Sequence, residues 1–173
     1  TCALPISKVA RKRRAPVDNA VLDLAISPDG KTIAAAGNGG VTLLSPEGRS
    51  MPGPKREPNG DQAETVRFAP DGQTLAFTAS GDLTLWPLTD QDKPKKTSLR
   101  SLAEEFGLRQ WTSIAFSPDG AFLAESVGGS VALLTSRTGE WGPIIGYGPN
   151  RFDAVSMSAG GRHLILGADD NAL

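Results

Sequence analysis

Apolar residues along this chain come in short alternating bursts, and the bursts recur. In "SIAFSPDGAFLAESVGGSVALL", residues 113–134, Ile114 and Phe116 lie two apart, so they share one face of an extended strand. Ser117-Pro118-Asp119-Gly120 then breaks the pattern with turn chemistry. Proline sets φ near −65°, aspartate hydrogen-bonds its own backbone, and glycine accepts a positive φ. A second apolar burst, a Gly-rich turn and a third burst follow. The pattern predicts three antiparallel strands joined by tight turns.

The same pattern occurs elsewhere without a gap. "ISPDGKTIAAAGNGGVTLL" runs 26–44, "FAPDGQTLAFTASGDLTLW" runs 68–86 and "FSPDGAFLAESVGGSVALL" runs 116–134. A fourth copy, "MSAGGRHLILGADDNAL" at 157–173, fits with one extra residue in its second turn, and the copies start 42, 48 and 41 residues apart. Periods of roughly 40–45 residues with several short strands each are the signature of propeller blades.

The columns have physical meanings. Before the first turn, Leu24 and Ile26 share a face of the strand, as do Val66 and Phe68, Ile114 and Phe116, and Val155 and Met157 at the equivalent positions. After it, Ile33, Leu75, Leu123 and Leu164 share a column, followed by a small one, Ala34, Ala76 and Ala124, which lets neighbouring sheets approach closely. Third strands are expected at 41–44, 83–86 and 131–134. Weakly patterned stretches at 49–51, 96–99 and 141–145 are the candidates for a fourth, solvent-edge strand, where Lys and Pro discourage aggregation. "SLAEEFG" at 101–107 has capping-box spacing, Ser101 to Glu104, and Gly107 as a stop, which predicts a short inserted helix.

The expected fold class is therefore all-β, a partial β-propeller of about three and a half four-stranded antiparallel blades. Blades are expected at about 21–55, 63–100, 111–146 and 152–173, within a propeller segment 16–173 after a non-domain stretch 1–15. The opening "TCALPIS", 1–7, is expected to be artefactual, because it back-translates to the end of a synthetic sequencing adapter. The segment is expected to be an open arc whose terminal sheets expose apolar surface.

Composition adds exclusions. With 18 Lys and Arg against 19 Asp and Glu, the formal charge is −1, which supplies no field to gather nucleic acid or anionic lipid. No apolar run approaches the roughly 20 residues of a membrane-spanning helix. The one cysteine, Cys2, rules out an internal disulfide; a cytoplasmic location is expected, though a disulfide-free exported protein fits as well.

The quoted copies, with "LTLW" and "TGEWGPIIGYGPNRFDAVSMS", resemble the WD-repeat β-propeller family, its bacterial branch in particular. The resemblance covers about residues 16–173. It implies a non-enzymatic scaffold or sensor module within a larger multidomain protein, with protein partners and the remaining blades of the propeller as neighbours. The family's Gly-His pair has no counterpart at Pro16-Val17, Pro58-Asn59, Phe106-Gly107 or Tyr147-Gly148, and its closing Trp stands only at Trp86. The buried Asp–His–Ser/Thr–Trp network of that family therefore cannot form in a complete copy. TolB-like propellers, which bind ligands or hydrolyse them with residues in other blades, are the alternative.

Catalytic signals are sparse. His163 is the only histidine and falls at the start of a predicted strand, which argues against a triad or a histidine-rich metal site. "GNGG", 37–40, reads as a hairpin turn, and no P-loop is present. Asp169-Asp170 and Glu104-Glu105 fall in a turn and in the inserted helix, not in a desolvated cleft. "RKRR", 11–14, and "KPKK", 93–96, read as solvated linker and loop, so nucleic acid is not an expected partner. No catalytic residue, cofactor or metal is assigned. Arg109, Trp111, Tyr147, Arg151 and Phe152 are the candidate partner-binding residues. They lie in connectors expected to crowd one rim with the turns 37–40, 79–82 and 127–130, and Arg, Trp and Tyr are enriched at binding hot spots.

Overall fold

The repeated turn is built from local hydrogen bonds, and these decide where each strand stops. Ser27 Oγ donates to Asp29 Oδ1 at 2.6 Å, and the same Asp29 oxygen accepts from the Lys31 amide at 3.0 Å. Ser27 Oγ also accepts from the Thr32 amide at 2.9 Å, while the Gly30 amide donates to Ser27 O at 2.8 Å. Ser117 and Asp119 repeat the arrangement. The hydroxyls and amides around Asp29 and Asp119 hold both carboxyls below the ordinary carboxylate value. Gly30, Gly72, Gly120 and Gly161 all take positive φ, between 65° and 71°. A Cβ at Gly30 would meet nothing within 4 Å, so only backbone conformation excludes a side chain there. Gly30→Ala is therefore expected to cost about 1 kcal/mol and Gly30→Asn clearly less, read as a shift in urea midpoint at constant slope.

The computed structural model describes residues 20–54, 62–89, 94–98, 112–127, 130–136, 139–147 and 152–168. These hold three four-stranded antiparallel sheets and a two-stranded one. The first sheet runs β1 (Val21–Ile26), β2 (Ile33–Gly37), β3 (Gly40–Leu44), β4 (Ser50–Met51). The second runs β5 (Ala63–Phe68), β6 (Thr74–Ala79), β7 (Asp82–Pro87), β8 (Lys95–Ser98). The third runs β9 (Thr112–Phe116), β10 (Phe122–Val127), β11 (Ser130–Thr135), β12 (Trp141–Tyr147), and β13 (Phe152–Met157) pairs with β14 (Leu164–Ala168). The expected helix at 101–107 lies outside the described residues.

Sequential order within each sheet leaves the first strand at one edge, and those first strands pack against one another from sheet to sheet. Strand alternation then points successive side chains at the preceding or the following sheet. Ala34, Ala36 and Leu43 of the first sheet share a core with Val66, Leu75 and Trp86 of the second. Ala76, Leu83 and Leu85 share one with Ile114, Leu123 and Leu134 of the third. Ala124 and Val131 meet Val155, with Leu164 and Leu166 packed alongside. The alanine column is fully buried at Ala34, Ala76 and Ala124, each 0% exposed.

Two features differ from the sequence reading. Lys95, read there as loop, begins β8 one residue before the expected fourth-strand stretch 96–99, and in that strand Lys95 pairs with Leu85 and Lys96, which fell in both readings, pairs with Thr84. Their side chains are exposed, as an edge strand requires. His163 lies just before β14 rather than at its first position, its amide donating to Ser158 Oγ. The outer strands of neighbouring sheets are tied together where Trp141 Nε1 donates to Thr97 Oγ1 at 2.6 Å.

Candidate functional site: the connector rim

Antiparallel pairing fixes which loops share an end of the sheets. Val21 pairs with Gly37, Ala63 with Ala79, Thr112 with Val127 and Phe152 with Ala168. The start of every first strand thus lies beside a second turn, and Ser130↔Tyr147 brings the end of β12 to the same place. The Pro-Asp-Gly turns are at the opposite end. Register shifts at Val21/Asp23, Ala63/Thr65 and Phe152/Ala154 recur at the rim end, and a bulge there re-aims the side chains around it.

Below this rim, polar groups join the sheets. Asp23 Oδ2 accepts from Thr65 Oγ1 at 2.8 Å, from the Val66 amide at 2.9 Å and from the Arg67 guanidinium. Burial pushes the Asp23 carboxyl up, but the bonds from Val66 and Thr65 and the charge of Arg67 outweigh it and hold the group below its ordinary value. Ser113 stands in the Asp23 column and accepts from the Val155 amide at 3.3 Å, while the Ser113 amide donates to Ser126 Oγ. One first-strand side chain thus reaches the backbone of the next sheet at two separate joints.

Glu125 is the residue that sequence reasoning missed. It occupies the column of Ala35, Phe77 and Leu166, faces the second sheet from β10, and is 1% exposed. Its Oε2 has no hydrogen-bond partner among the described residues. Burial pushes the carboxyl up to about 8, with the charges of Asp82 and Glu64 adding to the effect. Asp82 opens β7 beside the second turn, and Glu64 sits at the bulge of β5. The available signal was a glutamate in an otherwise apolar column. Among the described residues, no group of three His, Cys, Asp or Glu could hold a metal ion. Glu125 is sealed between sheets, so its shifted titration bears on stability.

The rim candidates divide. Arg109, Trp111 and Arg151 lie outside the described residues. Tyr147 ends β12 opposite Ser130. Phe152 opens β13 half-buried, packed on the cluster of Ala124, Val131 and Val155, so much of its ring serves the joint between the third and fourth sheets.

A family model described as "WD domain, G-beta repeat" matches residues 11–43. No curated protein matches the chain. Among solved structures, the chain is similar to the β-propeller domain of Myceliophteria thermophila Cps50 (Swd1), with 19% identity and a TM-score of 0.67 over 87% of this chain and 49% of that one. It is also similar to Kuenenia stuttgartiensis hydrazine synthase, with 18% identity and a TM-score of 0.71 over 92% of this chain and 45% of that one. The chain spans about half the length of each, and at this identity the likeness concerns the fold.

Proposed function

We propose that this β-propeller chain of WD40 type works without catalysis, as a protein-binding scaffold or sensor module of a larger protein, with the connector rim as its contact surface. WD40 propellers generally bind protein partners. The observation that carries the reading is the register, which gathers the second turns and the described connector ends, Tyr147 and Phe152, at one end of the stacked sheets. The Arg and Trp types in the adjoining connectors suit a binding hot spot. The unusual titratable group, Glu125, is enclosed between sheets and available to no substrate.

The test uses the triple variant Arg109→Ala/Trp111→Ala/Tyr147→Ala. The wild-type chain is expected to retain a discrete protein by affinity capture, and the purified pair to bind measurably by calorimetry. The triple variant should weaken that pair by roughly 30-fold or more, the scale of hot-spot loss, without a change in melting temperature. Unchanged affinity would reject the rim, and turnover of a model ester or phosphoester by the purified chain would reject the non-catalytic reading.

A further inference from the structure

The joints between successive sheets can be compared position by position. At the first, Phe77 reaches back from the second sheet and packs on the core of Ala36, Leu43 and Val66. Glu125 holds that place at the second joint, between two complete four-stranded sheets. It is 1% exposed, and its Oε2 has no hydrogen-bond partner among the described residues.

The groups facing it do not offset a charge. β5 brings Glu64 and β7 brings Asp82, and both charges oppose ionisation of Glu125. β6 turns Ala76 and Thr78 toward the third sheet, and neither is charged. Within its own sheet Glu125 pairs with Ile114 of β9 and Ala132 of β11. Strands β9 to β12 contain no Lys, Arg or His. In the second sheet Arg67 donates to Asp23 of the first, and Lys95 and Lys96 are exposed on the outer strand. An ionised Glu125 in the closed joint is therefore a buried charge without a counter-ion, which packing strongly opposes.

The fastening of the joints also differs. At the first, Asp23 accepts from the Val66 amide, and at the third, Ser113 accepts from the Val155 amide. Thr65 holds that column at the second joint, and its hydroxyl donates back to Asp23. The outer strands of this joint are fastened by Trp141 Nε1 on Thr97 Oγ1. Glu64 at the β5 bulge and Asp82 beside the second turn both lie at the rim end.

We propose that the joint between the second and third sheets is an alkali-opened hinge, pinned at its outer edge by Trp141 and Thr97, whose rim end parts when Glu125 gives its proton to solvent. Opening hydrates the carboxylate and relieves its repulsion with Glu64 and Asp82. The closed joint holds the proton up to about pH 8, whereas a hydrated carboxyl releases it near the ordinary 4.5. Between those values each pH unit favours the open form about tenfold, and the gain levels off above them. The inference goes beyond the rim reading and does not rest on it, because the hinge acts whatever the rim binds.

The test is thiol labelling of Thr78→Cys in a Cys2→Ser chain, each rate divided by that of the urea-unfolded chain. Thr78 is 0% exposed, so the thiol reacts when the joint parts. Leu83→Cys, at its cross-strand partner, is a second reporter of the same joint. Labelling is expected to accelerate about tenfold per pH unit between pH 5 and pH 8, and Glu125→Gln should abolish that dependence. Val66→Cys, 0% exposed at the first joint, reports general unfolding and should label more slowly at pH 8, by about tenfold or more. The Trp141 indole N–H should keep its exchange protection at pH 8. The rim triple variant should label as its parent does, so the two readings fail separately. Equal labelling at the two joints, a pH dependence that survives Glu125→Gln, or loss of the Trp141 protection would overturn the hinge.

Discussion

Glu125→Gln is expected to stabilise the protein strongly at pH 8 and hardly at all near pH 4. The Glu125 carboxyl titrates at about 8 in the folded chain, against an ordinary value of 4.5. Between those two values the folded state holds a proton that the unfolded state has lost, so stability falls as pH rises through this window and levels off above it. For a nearly fully buried group this amounts to roughly 4 kcal/mol by pH 8, to order of magnitude. Glutamine keeps the shape, cannot ionise, and escapes the loss. At about 2–4 °C per kcal/mol for a chain of this size, the variant should melt about 10 °C above wild type at pH 8. Asp23, Asp29 and Asp119 have lowered values and contribute stability that disappears as pH falls, but both proteins share that effect. The difference between the two melting curves therefore isolates Glu125. Parallel curves from pH 4 to pH 9 would refute the assignment.

Ile114→Ala should cost about 2–5 kcal/mol, while Leu24→Ala should cost less than about 0.5 kcal/mol. The two residues hold the same place in the repeat. Ile114 is 1% exposed, in the core shared with Ala76, Leu83 and Leu123, so truncation leaves a cavity that the flanking sheets close only in part. Leu24 is 60% exposed, and truncation there removes surface already in contact with water. Urea unfolding of the two variants checks the contrast. Equal costs would mean that the sheets do not stack in the register described.

Much of the fold is legible because its determinants are local. A Pro-Asp-Gly turn closes with bonds among neighbouring residues, so its three occurrences, with Ala159-Gly160-Gly161 at the equivalent place in the fourth copy, marked the strand ends without knowledge of the rest. The alanine column announced close-packed sheets, and Ala34, Ala76 and Ala124 are indeed sealed. The outer strands were harder. An edge strand has one paired side and little burial, so its sequence carries weak periodicity, and Lys95 and Lys96 read equally well as loop.

The candidate site was less legible. Phe152 was assigned to a binding rim, yet its ring packs on the joint between two sheets. Glu125 drew no notice because a charged residue on a strand is ordinarily solvated.

The sequence by itself determined the repeat, the turn positions and the strand order within each sheet, since these follow from side-chain alternation and from backbone preferences over a few residues. Only the tertiary structure decided which copy of a column is buried. Leu24 and Ile114 are equivalent in pattern and opposite in exposure, and Glu125 is charged in composition yet sealed off from water. Burial belongs to the contact between sheets whose residues lie about forty positions apart, and it sets both the size of a packing contribution and the direction of a titration.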